Sequence, residues 1–370
     1  MTHENPLTSW DDYPVHQSAN VIAHAATSDR NFYDRYYFLM HPSSDEMAAI
    51  FGLGQYPNLG VTDAFVAVRK GDGHHVVRAS KPLVDRMDTS VGPIRVEIIE
   101  PLRRLRVVVE PTEHSVSMNV TWTASVPAIA EPNQFIRSKG KVVFDTQRLA
   151  QTGFWEGTIT VNGETTSVTP DHWRGCRDRS WGVRPVGEPE PAGIRQGVPA
   201  MSGMWNYFPM QFSDHSIFFI NNELADGARA LEQAERVWPD GRIEQLGRVE
   251  WHHDMQKGTR LMTHSVLTFP DAPGGKIEVE CTSLLPHFLA VGSGYGLDDD
   301  WRHGMYQGPD LVVHGRDYKV DEIAMRGQFA VVDHVARFEY DGNVGYGLYE
   351  QAFMGAFPRV GIAEARSMAE

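Results

Sequence analysis

Apolar and polar residues alternate with a period of two along much of the chain. Between Ser115 and Trp122 every second side chain is apolar, and the intervening ones are Ser, Asn or Thr. This pattern predicts an antiparallel strand with one buried and one solvated face. Ile94–Glu110 predicts two strands interrupted at Pro101, because proline cannot donate a hydrogen bond to a central ladder. The chain is therefore expected to be rich in strands.

Turn sequences separate these predicted strands at short intervals. Asn162-Gly163 is a strong hairpin signal, because both central residues of such a turn adopt positive φ. Lys70–Gly73, Pro239–Gly241 and Asp341–Asn343 predict three further hairpins. Strands and turns at this spacing favour a sandwich or a barrel over alternating βα units.

Helical patterns are few. Ser43–Phe51 predicts a short helix, with Ser43 or Ser44 as its cap ahead of Glu46. Glu223–Arg236 is rich in helix-forming residues, but Asp226-Gly227 interrupts it and strand-like segments flank it. We therefore predict strand–turn–strand in this region, because pairing between strands often overrides propensity.

The domain organisation follows from the length and from one loop-forming segment. A length of 370 residues predicts two domains, at roughly 100–200 residues each. Residues 186–203 contain three prolines and four glycines, so they are expected to form a linker. The predicted domains are residues 1–185 and 204–370. Gly292–Gly296, with the acidic residues that follow it, is expected to be a second surface loop.

Composition excludes several classes of partner. The chain has 34 basic and 48 acidic residues, a formal net charge of −14, which repels phosphate backbones and disfavours nucleic acid. No segment approaches the roughly 20 apolar residues that a membrane span needs. The two cysteines, Cys176 and Cys281, and the absence of a cationic, apolar leader at the start predict a cytoplasmic protein with reduced thiols.

The densest group of chemically active residues is Asp171–Pro185, which holds two Trp, four Arg, two Asp and one His. On a strand, successive side chains project to opposite faces. One face would carry His172, Arg174, Cys176, Asp178 and Ser180, and the other Trp173, Gly175, Arg177, Arg179 and Trp181. A bulge at Gly175 would exchange the faces of the residues that follow it.

Two interpretations of Asp178 are open at this stage. Asp178 could form an ion pair with an arginine, capped by tryptophan rings, that staples one domain to the other. Alternatively, a carboxyl group in an apolar pocket stays protonated near neutral pH and acts as a general acid. Nearby arginines would lower its pKa, so the geometry decides between the two.

The segment Arg177-Asp178-x-Ser180-Trp181-Gly182-x-Arg184 resembles the signature of the superfamily of carotenoid 1,2-hydratase (hydroxyneurosporene synthase) and AttH-like proteins. The resemblance extends to Tyr36–Phe38 and Gly345–Glu350. It implies an all-β fold of two consecutive lipocalin-like antiparallel barrels with few short helices. Carotenoid hydratases tend to have an aromatic residue where Cys176 stands, so the chain resembles an uncharacterised branch.

This resemblance implies acid–base chemistry at a C=C bond of a hydrophobic, isoprenoid- or polycyclic-like molecule, without a cofactor. The enzyme would be a hydratase, lyase or isomerase with Asp178 as the proton donor and His172 as the next candidate. Trp173 and Trp181 would form apolar walls that stabilise a cation. The alternative is a non-catalytic lipid- or terpenoid-binding protein in which the segment of Asp178 and Trp181 is only a structural staple.

Further substrate-binding candidates lie outside the motif core. His303 and Tyr306 could supply a base and a hydroxyl, or could simply make local hydrogen bonds in a loop. The complete predicted binding set is Trp173, Trp181, Arg177, Arg184, Trp205, Tyr207, His303, Tyr306 and Glu350. No metal site is predicted, because the neighbouring residues His252 and His253 would point to opposite faces of a strand. A ligand cavity of about 300–1,000 Å³ would support a small-molecule partner, whereas barrels filled by bulky residues would argue against one. The sequence leaves the oligomeric state open.

Overall fold

In the computed structural model, which describes residues 7, 9–190 and 201–370, antiparallel strands form two sheets. The first half of the chain contributes β1 (Phe32–Met40), β2 (Met47–Tyr56), β3 (Val61–Lys70), β4 (Gly73–Pro82), β5 (Ser90–Val91), β6 (Ile94–Glu100), β7 (Arg104–Val109), β8 (Val116–Ala124), β9 (Ile129–Ala130), β10 (Gln134–Ser138), β11 (Lys141–Val161), β12 (Glu164–Val168) and β13 (Arg174–Val183). The second half contributes β14 (Gly203–Gln211), β15 (Ser216–Glu223), β16 (Arg229–Val237), β17 (Ile243–Gln245), β18 (Glu250–Met255), β19 (Met262–Phe269), β20 (Ile277–His287), β21 (Val312–Lys319), the helix α1 (Val320–Gly327), β22 (Val332–Tyr340) and β23 (Asn343–Met354). Two short 3₁₀ turns cover Ser9–Asp12 and Pro358–Val360.

Both sheets are strongly curled half-barrels, which confirms the all-β, two-barrel fold class. The main path of the first sheet runs β21-β4-β3-β2-β1-β13-β11-β8-β7-β6-β5, with β9, β10 and β12 paired to β11. The second sheet runs β17-β16-β15-β14-β23-β22-β20-β19-β18. Among the described residues, no helix is both long and apolar enough to cross a membrane.

The boundary between the two sheets falls near the predicted linker, and one strand of the second half belongs to the first sheet. Val186–Glu190 follow β13, and β14, which contains Trp205–Met210, is the first strand of the second sheet. Residues 191–200 of the predicted linker lie outside the described residues. The strand β21 belongs to the second half of the chain but pairs with β4 at the edge of the first sheet. The two halves are therefore joined by backbone pairing as well as by side-chain packing.

The structure confirms the four predicted hairpins and the break at Pro101. Asn162 and Gly163 have φ of 51° and 82°, and Asp341 and Gly342 have φ of 47° and 78°. Strand–turn–strand at Glu223–Arg236 is also correct, because β15 and β16 flank a turn there. The helix predicted at Ser43–Phe51 is wrong.

That error has a physical cause. All ten residues of β2 are buried, because one of its faces packs in the core of the first sheet and the other packs toward the second sheet. A strand that is buried on both faces has no polar period, so its sequence cannot be distinguished from a short helix. The helix α1 was not predicted.

The described residues form several buried apolar clusters, of which the three largest lie in the two sheets and between them. The first sheet packs large rings against one another, with the Phe38 and Trp155 centroids 5.7 Å apart. The second sheet has its own core around Phe208, Phe219 and Tyr349. A third cluster lies between the sheets and includes Tyr37 and Cys176 from one and Trp205 and Leu348 from the other. Bulky residues therefore occupy both barrel interiors, which argues against a ligand inside either barrel. The interface between the sheets has its own apolar layer.

The strand β13 lies between β1 and β11, and its register to β11 is continuous from Arg174 to Val183. There is consequently no bulge at Gly175 to exchange the faces of this strand. A Cβ at Gly175 would lie 1.9 Å from the Leu39 carbonyl oxygen, so only glycine fits here.

We expect Gly175→Ala to destabilise the protein by about 1–3 kcal/mol or more, because the added methyl group forces β1 and β13 apart. Urea unfolding of the variant measures this loss. An unchanged midpoint would contradict the close packing of the backbone at this position.

Candidate active site between the two sheets

A cavity of about 180 Å³ lies between the two sheets, beside the centre of β13. The first sheet supplies charged and polar lining residues, among them Arg35, Arg148, Asp178 and Ser180. The second sheet supplies Trp205, Tyr207 and Glu350 from β14 and β23. Apolar walls complete it: Phe144, Met201, Val331, Ala352 and Met354.

Asp178 projects into this cavity from β13. Its neighbours across the strands are Tyr37 on β1 and Ala150 on β11, both of which face the second sheet. Within the described part of the chain, its carboxyl group has no hydrogen bond and no ion pair. An acid that is held in a protein cavity without a partner is free to exchange a proton with a ligand.

The surroundings of Asp178 favour its protonated form. Burial raises the pKa of Asp178 to about 7, and the carboxyl groups of Glu131 and Glu350 act in the same direction. The guanidinium groups of Arg148 and Arg184 oppose this shift and do not cancel it. Asp178 therefore exists in both protonation states near neutral pH, as a general acid or base requires.

Glu350 faces the same cavity from the second sheet and is paired with Asp333 behind it. Asp333 and Glu350 are opposite each other on β22 and β23. The Tyr37 hydroxyl donates to Asp333 Oδ2 at 2.5 Å, and the Trp205 indole N–H donates to Glu350 Oε1. Burial and the Asp333 carboxyl raise the pKa of Glu350 well above 4.5, and burial raises the pKa of Asp333 to about 6. The pair therefore shares a proton at neutral pH, held on Glu350.

Arg148 on β11 is the cation that balances this acidic group. Its Nε donates to Glu131 Oε2 at 2.6 Å, and its guanidinium carbon lies 5.1 Å from the centroid of the Trp205 ring. The Glu131 side chain is 2% exposed, so the ion pair is shielded from water. The Arg148 guanidinium holds the Trp205 ring in place, and the two charges of the ion pair act in opposite directions on the pKa of Asp178.

The Tyr207 hydroxyl is one of the polar groups that face the cavity. The Tyr207 hydroxyl is buried and makes no hydrogen bond within the described part of the protein. A buried, unsatisfied polar group costs about 1–3 kcal/mol, so its retention in a cavity suggests a ligand contact.

The cavity continues into an outer vestibule of about 620 Å³, with which it shares Phe144, Arg184 and Tyr295. The inner cavity alone is smaller than a typical small-molecule site, and the two together fall within the range of about 300–1,000 Å³. A ligand of drug-like size would thus place one end beside Asp178 and the rest in the vestibule.

His303 lies where the inner cavity meets the vestibule, and it links three neighbouring residues by hydrogen bonds. Its Nδ1 accepts from Arg35 Nη1 at 2.6 Å and from Arg184 Nη2 at 3.5 Å, and its Nε2 donates to the Ser293 carbonyl at 3.0 Å. Burial, together with these two arginines, lowers the pKa of His303 well below 6.5. His303 is therefore neutral, and both of its ring nitrogens are engaged.

Of the predicted site residues, the structure brings five together. Asp178, Arg184, Trp205, Tyr207 and Glu350 line the inner cavity, and His303 lines the vestibule. These residues come from distant parts of the sequence and meet because β13, β14 and β23 face each other across the interface between the sheets.

The structure does not bring the other five to this cavity. His172 is exposed on the turn before β13, Tyr306 is 62% exposed, and Trp181 is 38% exposed. Trp173 packs in the core of the first sheet, and Arg177 donates to Gln151 Oε1 on that side at 2.9 Å. Trp173, Arg177 and Trp181 share the strand face opposite Asp178, so the cavity walls come from other tryptophans and aromatics.

Four residues of the site were missed in the sequence. Arg35, Glu131 and Arg148 carry no local pattern that marks them. Asp333 could have been found, because the predicted turn at Asp341–Asn343 sets a register that places it opposite Glu350.

The loop Gly292–Gly296 was expected at the surface, but Gly292, Ser293 and Gly294 are buried and Tyr295 lines the cavity. That prediction was wrong because the Asp298 carboxylate accepts from the Gly292 amide and holds the loop inward.

Solved structures of two other proteins share this fold. Kievitone hydratase from Nectria haematococca aligns with a TM-score of 0.51 and 14% identity, over 86% of this chain and 88% of that one. A protein assigned as AttH from Nitrosomonas europaea aligns with a TM-score of 0.53 and 14% identity, over 95% and 97% of the two chains. Identities this low establish the fold alone. They confirm the fold that the resemblance of the motif implied.

Sequence comparison adds a family but no characterised relative. No curated protein matches the chain. Residues 7–363 match DUF8625, a family of unknown function, and the chain belongs to that family.

Proposed function

We propose that this protein is an enzyme that transfers a proton between Asp178 and a C=C bond of a hydrophobic small molecule held between the two sheets. The reaction would be that of a hydratase, lyase or isomerase. The observation that carries this proposal is the carboxyl of Asp178, which lines a cavity without a hydrogen bond and has its pKa raised to about 7 by burial.

The chemistry requires one proton donor and one acceptor. In the hydration direction, the Asp178 O–H bond breaks, a C–H bond forms on the substrate, and the adjacent carbon becomes a cation. Water adds to this carbon, and the proton that it releases returns to the Asp178 carboxylate. Elimination of water is the reverse, and isomerisation replaces the addition of water by loss of a proton from a neighbouring carbon.

The Asp333–Glu350 pair gives the site a second group that can hold a proton. Because the pair shares one proton, it could accept a further proton from the substrate side while Asp178 donates one. The Tyr207 hydroxyl, which has no partner within the described residues, is placed to hold a water molecule or an oxygen of the substrate.

Stabilisation of a cation would come from carboxylates and Trp205 rather than from the tryptophans of the motif. Glu131 pairs with Arg148, and its carboxyl group raises the pKa of Asp178. The same group would favour a carbocation beside Asp178.

The alternative, a non-catalytic binder with Asp178 in a structural staple, lacks its central contact. Asp178 forms no ion pair with any residue described in the structure, whereas Arg177 and Arg179 bind Gln151 and Asp34 on the other face.

We also infer a reducing, cytoplasmic location from the two unpaired cysteines, Cys176 and Cys281.

Solvent deuterium exchange tests the proposed reaction whatever its product is. A panel of apolar alkenes, enones and allylic or tertiary alcohols is incubated with the protein in deuterium oxide and analysed by mass spectrometry. We expect at least one compound to incorporate deuterium at carbon with the wild-type protein. A broad panel without exchange, tested on protein that binds several of its members, would contradict the proposal and favour a binding protein.

A cavity variant locates that activity. Ala352 is buried and lines the cavity on the same strand face as Glu350, so Ala352→Leu fills space that the ligand needs. We expect exchange to fall by at least about tenfold. Ala230→Leu, on an exposed position of β16, is the matched control and should leave exchange unchanged. Equal activity in both variants would show that chemistry takes place elsewhere.

A further inference from the structure

We propose that the ligand of this site carries an anionic oxygen group, such as a carboxylate, which binds Arg35 and Arg184 where the inner cavity opens into the vestibule. The proposal rests on the proposed function only in taking the cavity as the substrate site. It makes the substrate an amphiphile with an apolar body and an acidic head.

The first observation is an imbalance among the arginines that line the cavity. Arg148 has Glu131 as its carboxylate partner. Arg35 and Arg184 have no carboxylate oxygen within 4.0 Å among the residues that the structure describes. Two guanidinium groups of a partly enclosed site are therefore left without a direct counter-charge.

Arg35 is held in place and is incompletely satisfied. It is 3% exposed, its Nη1 donates to His303, and its Nε and Nη2 have no partner among the described residues. Two glycines on β2 leave room for its side chain. A Cβ at Gly54 would lie 2.8 Å from Arg35 Cγ, and a Cβ at Gly52 would lie 3.0 Å from Arg35 Nη2. The fold thus keeps a buried cation with free donors at the cavity wall.

Arg184 follows β13 directly and converges on the same point. Its guanidinium carbon lies 4.4 Å from the centroid of the Tyr33 ring and 6.0 Å from that of Tyr295, and that of Arg35 lies 5.3 Å from the Tyr295 centroid. Both arginines donate to the neutral ring of His303, which cannot offset their charge. An anion between them would replace this repulsion with charge-assisted hydrogen bonds.

Asp63, an acidic residue close to both arginines, is engaged elsewhere. Asp63 Oδ1 accepts from the Tyr56 hydroxyl at 3.1 Å, and its Oδ2 accepts from the Gly304 amide at 2.6 Å. Asp63 contributes negative charge near both Arg35 and Arg184, but its two oxygens are already engaged, so neither arginine has a direct carboxylate partner among the described residues.

The outer vestibule shows the contrasting arrangement. Lys141 pairs with Glu190, and Arg302 lies 3.6 Å from Glu188. Arg30 also lines the vestibule, where its Nη1 donates to the Glu188 carbonyl. An anionic ligand that enters through the vestibule therefore meets these cations before it reaches Arg35 and Arg184 at the inner end. Binding there would direct the apolar body of the ligand toward Asp178.

Binding of two isosteric probes tests the anion site. We would titrate the wild-type protein with 2-naphthoate and with 2-naphthamide and follow tryptophan fluorescence, with calorimetry as confirmation. We expect the carboxylate to bind at least about tenfold more tightly than the amide. The preference should fall to less than about twofold in Arg184→Gln and should survive in Arg184→Lys. Arg30→Gln removes the same charge from the vestibule and should keep the preference.

The outcomes separate this proposal from the proposed function. Equal affinity for the two probes in the wild type, or a preference that survives Arg184→Gln, overturns the anion site. If Ala352→Leu still weakens the binding of the amide in that case, the cavity remains the ligand site and the proposed function stands. If Ala352→Leu leaves both affinities unchanged, the cavity is not the site and both proposals fail. If Arg35→Gln folds, it is a second test of the preference for the carboxylate. If it does not fold, Arg184→Gln alone decides whether the anion site exists.

Discussion

Asp178→Asn is expected to lower the rate of proton transfer to carbon by about 10²–10⁴-fold, the usual contribution of a general acid. The amide has nearly the shape of the carboxyl group but cannot donate an acidic proton. Because Asp178 makes no hydrogen bond or ion pair within the described structure, the change should leave ligand affinity within about threefold. Deuterium exchange measures the first quantity, and a fluorescence titration measures the second.

The same variant should be more stable than the wild type at alkaline pH. The folded-state pKa of Asp178 is about 7 and its ordinary value is 3.8, so the folded protein retains a proton that the unfolded chain has released. The carboxyl therefore destabilises the fold increasingly as pH rises from about 4 to 7, and the full cost applies above 7. At 1.36 kcal/mol per pKa unit this cost is at most about 4 kcal/mol, reduced by any water in the cavity.

Asp171→Asn, on the exposed turn before β13, is the matched control for this stability measurement. We expect Asp178→Asn to raise the melting temperature at pH 8 and to have little effect at pH 4, whereas the control should change neither. A loss of stability at both pH values would indicate that Asp178 is a structural residue, as the staple interpretation requires.

Glu131→Gln is expected to have the second largest effect, and mainly on stability. Glu131 is almost inaccessible and forms the ion pair of Arg148, so the neutral amide leaves a buried guanidinium group without its counter-charge. Removal of one partner of a buried ion pair costs about 3–5 kcal/mol. Urea unfolding at pH 7 measures the loss.

Glu131→Gln should also shift the pH dependence of catalysis, in a direction that follows from the charges around Asp178. The Glu131 carboxyl raises the pKa of Asp178, and Arg148 lowers it. Loss of Glu131 therefore lowers the pKa of Asp178, and the pH at which its proton-donor activity declines should move down. A pH profile that stays in place would contradict this electrostatic coupling.

Glu156→Gln is the control for the loss of stability. Glu156 pairs with Arg104 on the surface, where both side chains are close to half exposed, and such a pair contributes about 0–1 kcal/mol. If the two variants lost similar stability, the ion pair of Glu131 would be no more important than a surface pair.

The sequence was sufficient for the fold where strands have one wet face. In β8, buried residues alternate with accessible ones as the pattern Val116, Met118, Val120 and Trp122 predicts. Hairpins were predictable because their turn residues are local. The strand β2 was not, since both of its faces are buried, and neither was the pairing of β21 with β4, which joins residues more than 200 positions apart. Long-range pairing leaves no local trace in a single sequence.

The site was predictable only in its centre. The motif identified Asp178, and alternation along β13 separated it correctly from Arg177 and Arg179, which face the other side. The arginines that influence Asp178 are Arg148 and Arg184, and the first of these comes from β11. The ligand space was expected to have motif tryptophans as walls. Instead, Trp205 from the second sheet is a wall, because the cavity lies between the sheets.

Asp178 is proposed to be a proton-exchanging acid rather than an ordinary carboxylate. The most direct test is the ¹³Cγ chemical shift of Asp178 in protein labelled with ¹³C-aspartate, assigned by comparison with Asp178→Asn and followed from pH 4 to 9. The structure predicts a titration midpoint near 7. A midpoint near the ordinary value of 3.8 would show that Asp178 is an ordinary carboxylate and would rule out its role as the proton donor.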